Sequence, residues 1–382
     1  MNDVIQLSEL GEIITGNTPS TSDNANYESD DIIFVKPSDI PNDRISYIDK
    51  TENYISNYAK EKARVVPSDT VFCTCIGIIG KVGIATKNSA FNQQINAIIP
   101  DKGKVTSDYL AYALMAKRNY MQSKANAAVV PIINKSQFAE LKIKYVSLED
   151  QRYITDKFQL IDSLIAKREK QIETIEYLVK SRFVEMFGEY MDTKHQKKLK
   201  EVCDFIDYRG KTPEKAESGI PLITAKNVRE NHFSEEPREY IPAENYEAVM
   251  TRGIPKVNDV LFTTEAPLGN VCRIPNTYDK FCVGQRIVTI QPHDDKLISE
   301  YLERVLLSND FQNKVWRQAT GSTVKGIRSK RLIELTIPVP PLDLQKQFAD
   351  FVAFTDKSKL AIQQSLETLQ TLKAKLMQDY FG

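Results

Sequence analysis

Residues 147–188 read SLEDQRYITDKFQLIDSLIAKREKQIETIEYLVKSRFVEMFG, and residues 341–382 read PLDLQKQFADFVAFTDKSKLAIQQSLETLQTLKAKLMQDYFG. The two stretches align without a gap. Leu148 falls on Leu342, Gln151 on Gln345, Asp156 on Asp350, Ile175 on Leu369 and Leu178 on Leu372, and the closing Phe187-Gly188 falls on Phe381-Gly382. The frame also runs backwards, placing Phe138-Ala-Glu-Leu141 on Leu332-Ile-Glu-Leu335. Self-similarity at a fixed offset marks a duplicated unit and is weighed before local propensity.

Each copy carries apolar residues at alternating steps of four and three. The first stripe is Ile154, Phe158, Ile161, Ile165, Ile172, Ile175 and Val179, interrupted by Arg168 and Arg182. The second is Phe348, Val352, Ile362, Leu366, Leu369 and Leu376, with Thr355, Lys359 and Lys373 as its polar members. A period of about 3.5 residues is a coiled-coil seam, in which polar members fix register. Each helix would be ~55–60 Å long at 1.5 Å per residue. Matched lengths and frames predict that the two helices pair, antiparallel, relating the halves by an approximate two-fold axis. The alternative is that each stripe packs on its own globular half.

Outside the helices the correspondence is looser but keeps its order. Leu7-Ser-Glu-Leu10 with Thr18-Pro19 matches Leu199-Lys-Glu-Val202 with Thr212-Pro213, and Pro67-Ser-Asp-Thr-Val-Phe72 matches Val257-Asn-Asp-Val-Leu-Phe262. Asn92-Gln-Gln94 aligns with Val283-Gly-Gln285. Strands are expected in the β-branched and aromatic runs 31–36, 70–75, 94–99, 260–264 and 286–291, and helices over 109–122 and 299–318. Pro338-Val-Pro-Pro341 marks a boundary before the second long helix. The fold class is therefore α+β: two tandem mixed β-rich domains, 1–146 and 193–340, each followed by a long helix within 147–192 and 341–382.

Composition narrows the class. With 41% apolar and 27% charged residues in 382, the chain is globular and long enough for two cores. No apolar run approaches the ~20 residues that span a bilayer. The opening Met-Asn-Asp-Val-Ile lacks the basic and apolar parts of a secretion signal. The odd set of five cysteines, Cys73, Cys75, Cys203, Cys272 and Cys282, reads as reduced thiols in the cytoplasm. Net charge is zero, so any nucleic-acid contact must come from local basic clusters.

Catalytic patterns are missing from the sequence. His195, His232 and His293 lack metal-ligand spacing. Cys73-Thr-Cys75 sits in an apolar run and reads as strand packing. Gly77-Ile-Ile-Gly80-Lys81 lacks the phosphate-loop spacing and reads as a turn. No dinucleotide fingerprint opens a βαβ unit, and there is no Asn-Pro-Pro-aromatic or Asp-Pro-Pro-aromatic tetrapeptide of the amino-methyltransferases. The expectation is a non-catalytic chain with no cofactor or metal of its own.

Basic and amide residues recur at matching places in both halves. Arg317, Lys325, Arg328, Lys330 and Arg331 crowd the second half around Gly321–Thr323; Lys117, Arg118, Lys124, Asn134 and Lys135 hold the equivalent region of the first. Such loops supply phosphate contacts, while amides suit adenine and arginine suits guanine. The candidate contacts in the first half are Thr18, Lys36, Ser38, Lys81, Asn92, Gln93, Gln94, Asn134 and Lys135. In the second they are Lys211, Thr212, Lys226, Asn227, Asn270, Gln285, Arg286, Thr323, Lys325, Arg328 and Lys330. For any single charge, an ordinary solvated face is the plainer reading.

Over nearly its whole length the chain resembles the specificity subunits of type I restriction–modification systems. The resemblance rests on Leu7-Ser-Glu-Leu-Gly-Glu-Ile-Ile-Thr-Gly16 with Thr18-Pro19, Asp69-Thr-Val-Phe72 and Leu148-Glu-Asp-Gln151. It is repeated by Lys211-Thr-Pro213, Asn258-Asp-Val-Leu-Phe262 and Pro338-Val-Pro-Pro-Leu-Asp-Leu-Gln345. The Pro-Pro-Leu-x-x-Gln helix start is the most specific element; the first copy departs from it, reading Tyr145-Val-Ser-Leu-Glu-Asp-Gln151. The resemblance implies a target-recognition domain in each half, each reading one part of a bipartite DNA sequence, and a helical spacer fixing the gap. It also implies two modification subunits, methylating adenine with S-adenosylmethionine, and two ATP- and Mg-dependent motor subunits. The alternatives are a helical scaffold or adaptor that reads no DNA, and an enzyme on a divergent fold.

Overall fold

A computed structural model of the chain describes residues 3–125, 130–191, 193–208 and 213–382. The chain divides into two compact units, Met1–Lys170 with Ile362–Gly382, and Gln171–Ala361. Two 40-residue helices, Leu148–Phe187 and Leu342–Phe381, each start in one unit and end in the other. The compact units thus cut across the linear division into 1–146, 147–192, 193–340 and 341–382.

In the first unit a five-stranded sheet has the order Gly11–Thr15, Ile95–Pro100, Val71–Thr74, Val82–Ala85, Ser46–Ile48. Every neighbouring pair is antiparallel except the last. A second sheet orders Tyr54–Ile55, Ile32–Val35, Ser89–Phe91 and Val65–Val66, its central pair parallel. Strand Val71–Thr74 is buried on both faces, which explains its continuous apolar run. Val71 and Cys73 join the core beneath helix Ser107–Ala116, while Phe72 meets Phe91 at 5.1 Å between ring centres in a separate core.

The second unit repeats this framework. Its four antiparallel strands, Cys203–Asp207, Ile287–Pro292, Val260–Thr263 and Val271–Arg273, keep the order of the first four strands of the first unit. Tyr240–Ile241, Ile220–Ile223 and Cys282–Val283 repeat the second sheet, including its parallel pair. In each unit a two-stranded ribbon joins the segment before the long helix to the start of the domain: Asp3–Gln6 with Lys142–Tyr145, and Gln196–Lys198 with Thr336–Pro338. The five expected strands are all present. The two expected helices are each broken in two, at Lys117 and at Ser308. At Ser308 the hydroxyl donates to Val305 O and accepts from Phe311 N–H, ending one helix and capping the next.

One side chain fastens each long helix to its domain. Gln151 Oε1 accepts from Thr106 N–H at 2.9 Å, and its Nε2 donates to Lys104 O and Val146 O at 2.9 and 3.0 Å. Gln345, its partner in the repeat, accepts from Ile298 N–H at 3.0 Å and donates to Lys296 O and Pro340 O at 2.9 and 2.8 Å. Both amides are fully buried. Their hydrogen-bonding groups close off loop ends that water cannot reach.

Within each unit the two helix segments run antiparallel. In the first, Lys157 donates to the Tyr380 hydroxyl and Lys373 pairs with Asp162, while Phe381 packs on Tyr109 and Phe158. In the second, Lys359 pairs with Glu176, and Phe187 packs on Tyr301 and Phe348. Ile154, Phe158, Ile161, Val179, Phe348 and Val352 of the expected stripes are buried; Ile165, Ile172, Ile175, Ile362, Leu366, Leu369 and Leu376 are half-buried. The seam is dry where the helices meet their domains and wetter in mid-helix.

Replacing Gln151 by Ala strands one buried N–H and two carbonyls, at an expected cost of about 2–4 kcal/mol. Hydrogen exchange should show Thr106 losing protection in Gln151→Ala and Ile298 in Gln345→Ala, each confined to its own unit. Unchanged protection would show that these amides do not hold the helix starts.

Candidate functional site

Strand order gathers the first-half candidates at one end of the sheet. Antiparallel pairing puts the ends of Gly11–Thr15 and Val71–Thr74 beside the starts of Val82–Ala85 and Ile95–Pro100. Thr18, Lys81 and Asn92–Gln94 leave directly from those ends. Lys36 and Ser38 join them, since Asn92 N–H donates to Val35 O at 3.1 Å and Lys81 Nζ to Pro37 O at 2.7 Å. The segment bearing Asn134 and Lys135 arrives through Ile133 N–H to Cys75 O at 2.9 Å.

The second unit makes the same gathering. Gly284 N–H donates to Ile223 O, ahead of Lys226 and Asn227, and Thr264 N–H donates to Arg286 O. Asn270 Nδ2 donates to Val228 O at 3.0 Å. The loop carrying Thr323 and Lys325 is closed by reciprocal backbone bonds between Thr320 and Gly326, and Ile327 N–H to Thr264 O brings Arg328 and Lys330 alongside. Lys211 and Thr212 lie outside the described residues.

The gathered residues divide into those that face outward and those that hold the loops. Thr18, Ser38, Gln93, Asn134, Lys135, Lys226, Arg286, Thr323, Lys325, Arg328 and Lys330 are exposed. Asn92 is buried and bonds the backbone and side chain of Gln94. Asn227 is buried too: its Oδ1 accepts from Thr224 N–H and hydroxyl, and its Nδ2 donates to Ser234 O and Pro237 O. Lys36 and Lys81 are half-buried, with their ammonium groups on Asn53 Oδ1 and Pro37 O. Arg118, grouped by sequence with the phosphate contacts, donates twice to Gly80 O and pins the turn beneath it. Gln312 holds Gly269 O in the same way.

Strand register corrects two sequence alignments. Ile95 pairs with Thr74 and Ile287 with Thr263. Thr74 and Thr263 are equivalent, since their N–H groups donate across the same turn to Lys81 O and Asn270 O, and Asp69 and Asn258 before them share a positive φ. Gln93 therefore answers to Gln285 and Gln94 to Arg286, so that the match of Asn92–Gln94 with Val283–Gln285 and that of 67–72 with 257–262 each shift by one residue. A three-residue resemblance carries no pairing register; the ladder does. Arg286 adopts a left-handed φ of 67° and lies 3.9 Å from Glu265. Sequence reading also missed two exposed aliphatic residues at these ends, Ile78 and Val324. Gly77 and Gly80, which bracket Ile78 with positive φ, were the available signal.

Among the described residues no group of three or more His, Cys, Asp or Glu is placed to hold a metal ion. Among the described residues no helix is long and apolar enough to cross a membrane. All five cysteines are buried, and burial pushes the Cys203 thiol up to about 12 and Cys282 to about 11, keeping them protonated.

The family model described as type I restriction modification DNA specificity domain matches residues 2–177 and 191–373. The MjaIX specificity subunit of Methanocaldococcus jannaschii is 31% identical over 198 residues, covering 51% of this chain and 45% of that protein. The MjaVIII specificity subunit of the same organism is 25% identical over 319 residues, covering 78% and 73%. In the first match the chain spans under half the length of its relative. The crystal structure of a type I restriction–modification S subunit from M. genitalium is similar in fold, with a TM-score of 0.60 at 14% identity, covering 100% of this chain and 96% of that one. A chain from a structure concerned with assembly and conformational transition of the type I R-M system gives 0.58 at 16% identity, covering 99% and 97%.

The loop at 91–95 sets a sharp steric condition. A Cβ on Gly16 would stand 2.2 Å from Asn92 O and 2.4 Å from Phe91 O. Gly16→Ala should therefore cost about 1–3 kcal/mol through overpacking and displace this loop, seen as shifted amide resonances for residues 91–95. Wild-type stability and spectra in that variant would refute the close approach.

Proposed function

The chain belongs to the type I restriction–modification DNA specificity family, and on that premise we propose that it is the sequence-reading, non-catalytic subunit of such a complex in the cytoplasm. The observation that supports this most is the duplicated framework: two copies of one scaffold gather different exposed side chains at the same end. Each unit reads one part of a bipartite DNA target. Arg286, Lys325, Arg328 and Lys330 in the second unit, and Lys135 with the exposed amides in the first, supply phosphate and base-edge contacts.

The long helices set the gap between the two parts. About six unread base pairs span roughly 20 Å at 3.4 Å per step, and parts about one turn apart present the same face of the duplex. The exposed apolar residues Leu160, Tyr177 and Phe354 on these helices suit recruitment of two modification subunits. Those subunits carry S-adenosylmethionine and methylate adenine at N6 after taking the base out of the stack. Two motor subunits with ATP and Mg complete the cleaving complex.

Co-expression with modification subunits, followed by single-molecule mapping of N6-methyladenine, tests this reading. A bipartite motif with a fixed gap is expected, and exchanging residues 1–145 or 196–340 should change one half-sequence only. Removing one heptad from each helix shortens the spacer by ~10 Å, about three base pairs, at 1.5 Å per residue; the half-sequences should persist with a smaller gap. Lys325→Ala should weaken binding to all sequences alike and reduce the salt slope by ~0.9 for the lost phosphate contact. A stable complex with an active partner and no methylation would favour a scaffold instead.

A further inference from the structure

We infer that Gln93 reads an adenine in the half-sequence of the first unit and that Thr18 is its positioning residue; this rests on the DNA-reading role proposed above. The loop that carries Gln93 is fixed from several sides. Gly16 N–H donates to Ile95 O at 3.1 Å, Asn17 N–H to Phe91 O at 3.0 Å and Ile95 N–H to Asn92 O at 3.2 Å. The Asn92 side chain grips Gln94 through its backbone N–H and its Oε1, at 3.1 and 2.9 Å. Of residues 92–94 only Gln93 is exposed.

Its amide is not free to turn. Gln93 Oε1 accepts the Thr18 hydroxyl at 2.7 Å. Thr18 follows Asn17, whose side chain donates to Lys62 O and accepts from Arg64 N–H, both at 2.8 Å. Each end of the Thr18–Gln93 bond thus springs from backbone tied down by its neighbours.

The chemistry follows from what the hydrogen bond leaves over. A glutamine amide has two acceptor lone pairs on oxygen and two N–H donors on nitrogen. In the orientation that the structure shows, the Thr18 hydroxyl donates to Oε1 and uses one of its lone pairs. The second lone pair and the Nε2 N–H groups remain available as an acceptor–donor pair. That acceptor–donor pair matches the N6 amino group and N7 of adenine in the major groove; guanine presents two acceptors on the same edge, and cytosine a lone amino donor. Because the amide is already oriented, little rotamer freedom is lost when the base arrives.

The test uses the chain co-expressed with its modification subunits and reads the methylated fraction at sites differing by one base. In the wild type, one position of the first half-sequence should favour adenine by roughly tenfold or more, as a bidentate contact gives. Gln93→Ala should abolish that preference and leave the second half-sequence intact. Gln93→Glu, which can only accept, should move the preference to cytosine. Thr18→Val should weaken the adenine preference several-fold, and Thr18→Ser, which keeps the hydroxyl, should retain it. Gln93 is exposed, so neither of its substitutions endangers folding. An unchanged motif in Gln93→Ala and Gln93→Glu overturns the adenine contact. Equal preference in Thr18→Val and wild type overturns the positioning role. Absence of any bipartite motif in the wild type is a different failure, that of the DNA-reading role itself.

Discussion

Each long helix begins under a buried glutamine whose amide is bonded on three sides, and the remaining order of its unit follows from that attachment. Gln151 joins the helix start to the loop before helix Ser107–Ala116 and to the strand end at Val146; Gln345 does the same for its own unit. A helix of 40 residues is a long lever, and an attachment with rotational play at its root would spread over the whole length. Polar groups that cannot reach water tolerate no such play, since each alternative arrangement leaves one of them unpaired. Apolar packing at the far ends, through Phe187 and Phe381 against equivalent tyrosines, adds strength but less direction.

The units separate stability from recognition. The four-stranded core of the main sheet, the ribbons and the glutamine attachments recur in both, whereas the loops at the sheet end differ in nearly every exposed side chain. The polar residues buried in those loops, Asn92 and Asn227, and the tethered Arg118, shape the backbone without facing outward. Exposed loop residues then change at small cost in stability, because nothing in the core rests on them.

Much of the fold was legible because its signals are local. A heptad stripe, a gapless repeat and apolar runs bounded by Gly, Pro and Asn can be read without knowing which residues meet. What was not legible depends on pairing at a distance. The register that matches Gln94 with Arg286 is set by strands far apart in sequence. Lys117 and Ser308 break helices that periodicity alone ran together. Arg118 looked like a free cation until Gly80 O was found beneath its guanidinium. Gln151 and Gln345 were visible as a matched pair, but an amide in sequence does not announce its burial. The candidate contacts came together because strand polarity brings their loops to one sheet end, which no single motif states.

The balance of 51 basic and 51 acidic residues bears on how such a chain discriminates. Phosphate contacts strengthen binding to every sequence alike, so a strongly basic reader gains affinity without gaining selectivity. A neutral chain that sets only a few exposed cations at one end of each unit has little general attraction for DNA. More of its binding free energy then depends on base edges, where a wrong pair costs about 1–3 kcal/mol. Two such sites on one frame multiply their selectivities, because a sequence correct in only one part satisfies only one unit. Modest contacts in each half are therefore enough, provided that each is held in place within its own unit, where a buried glutamine fixes the helix start.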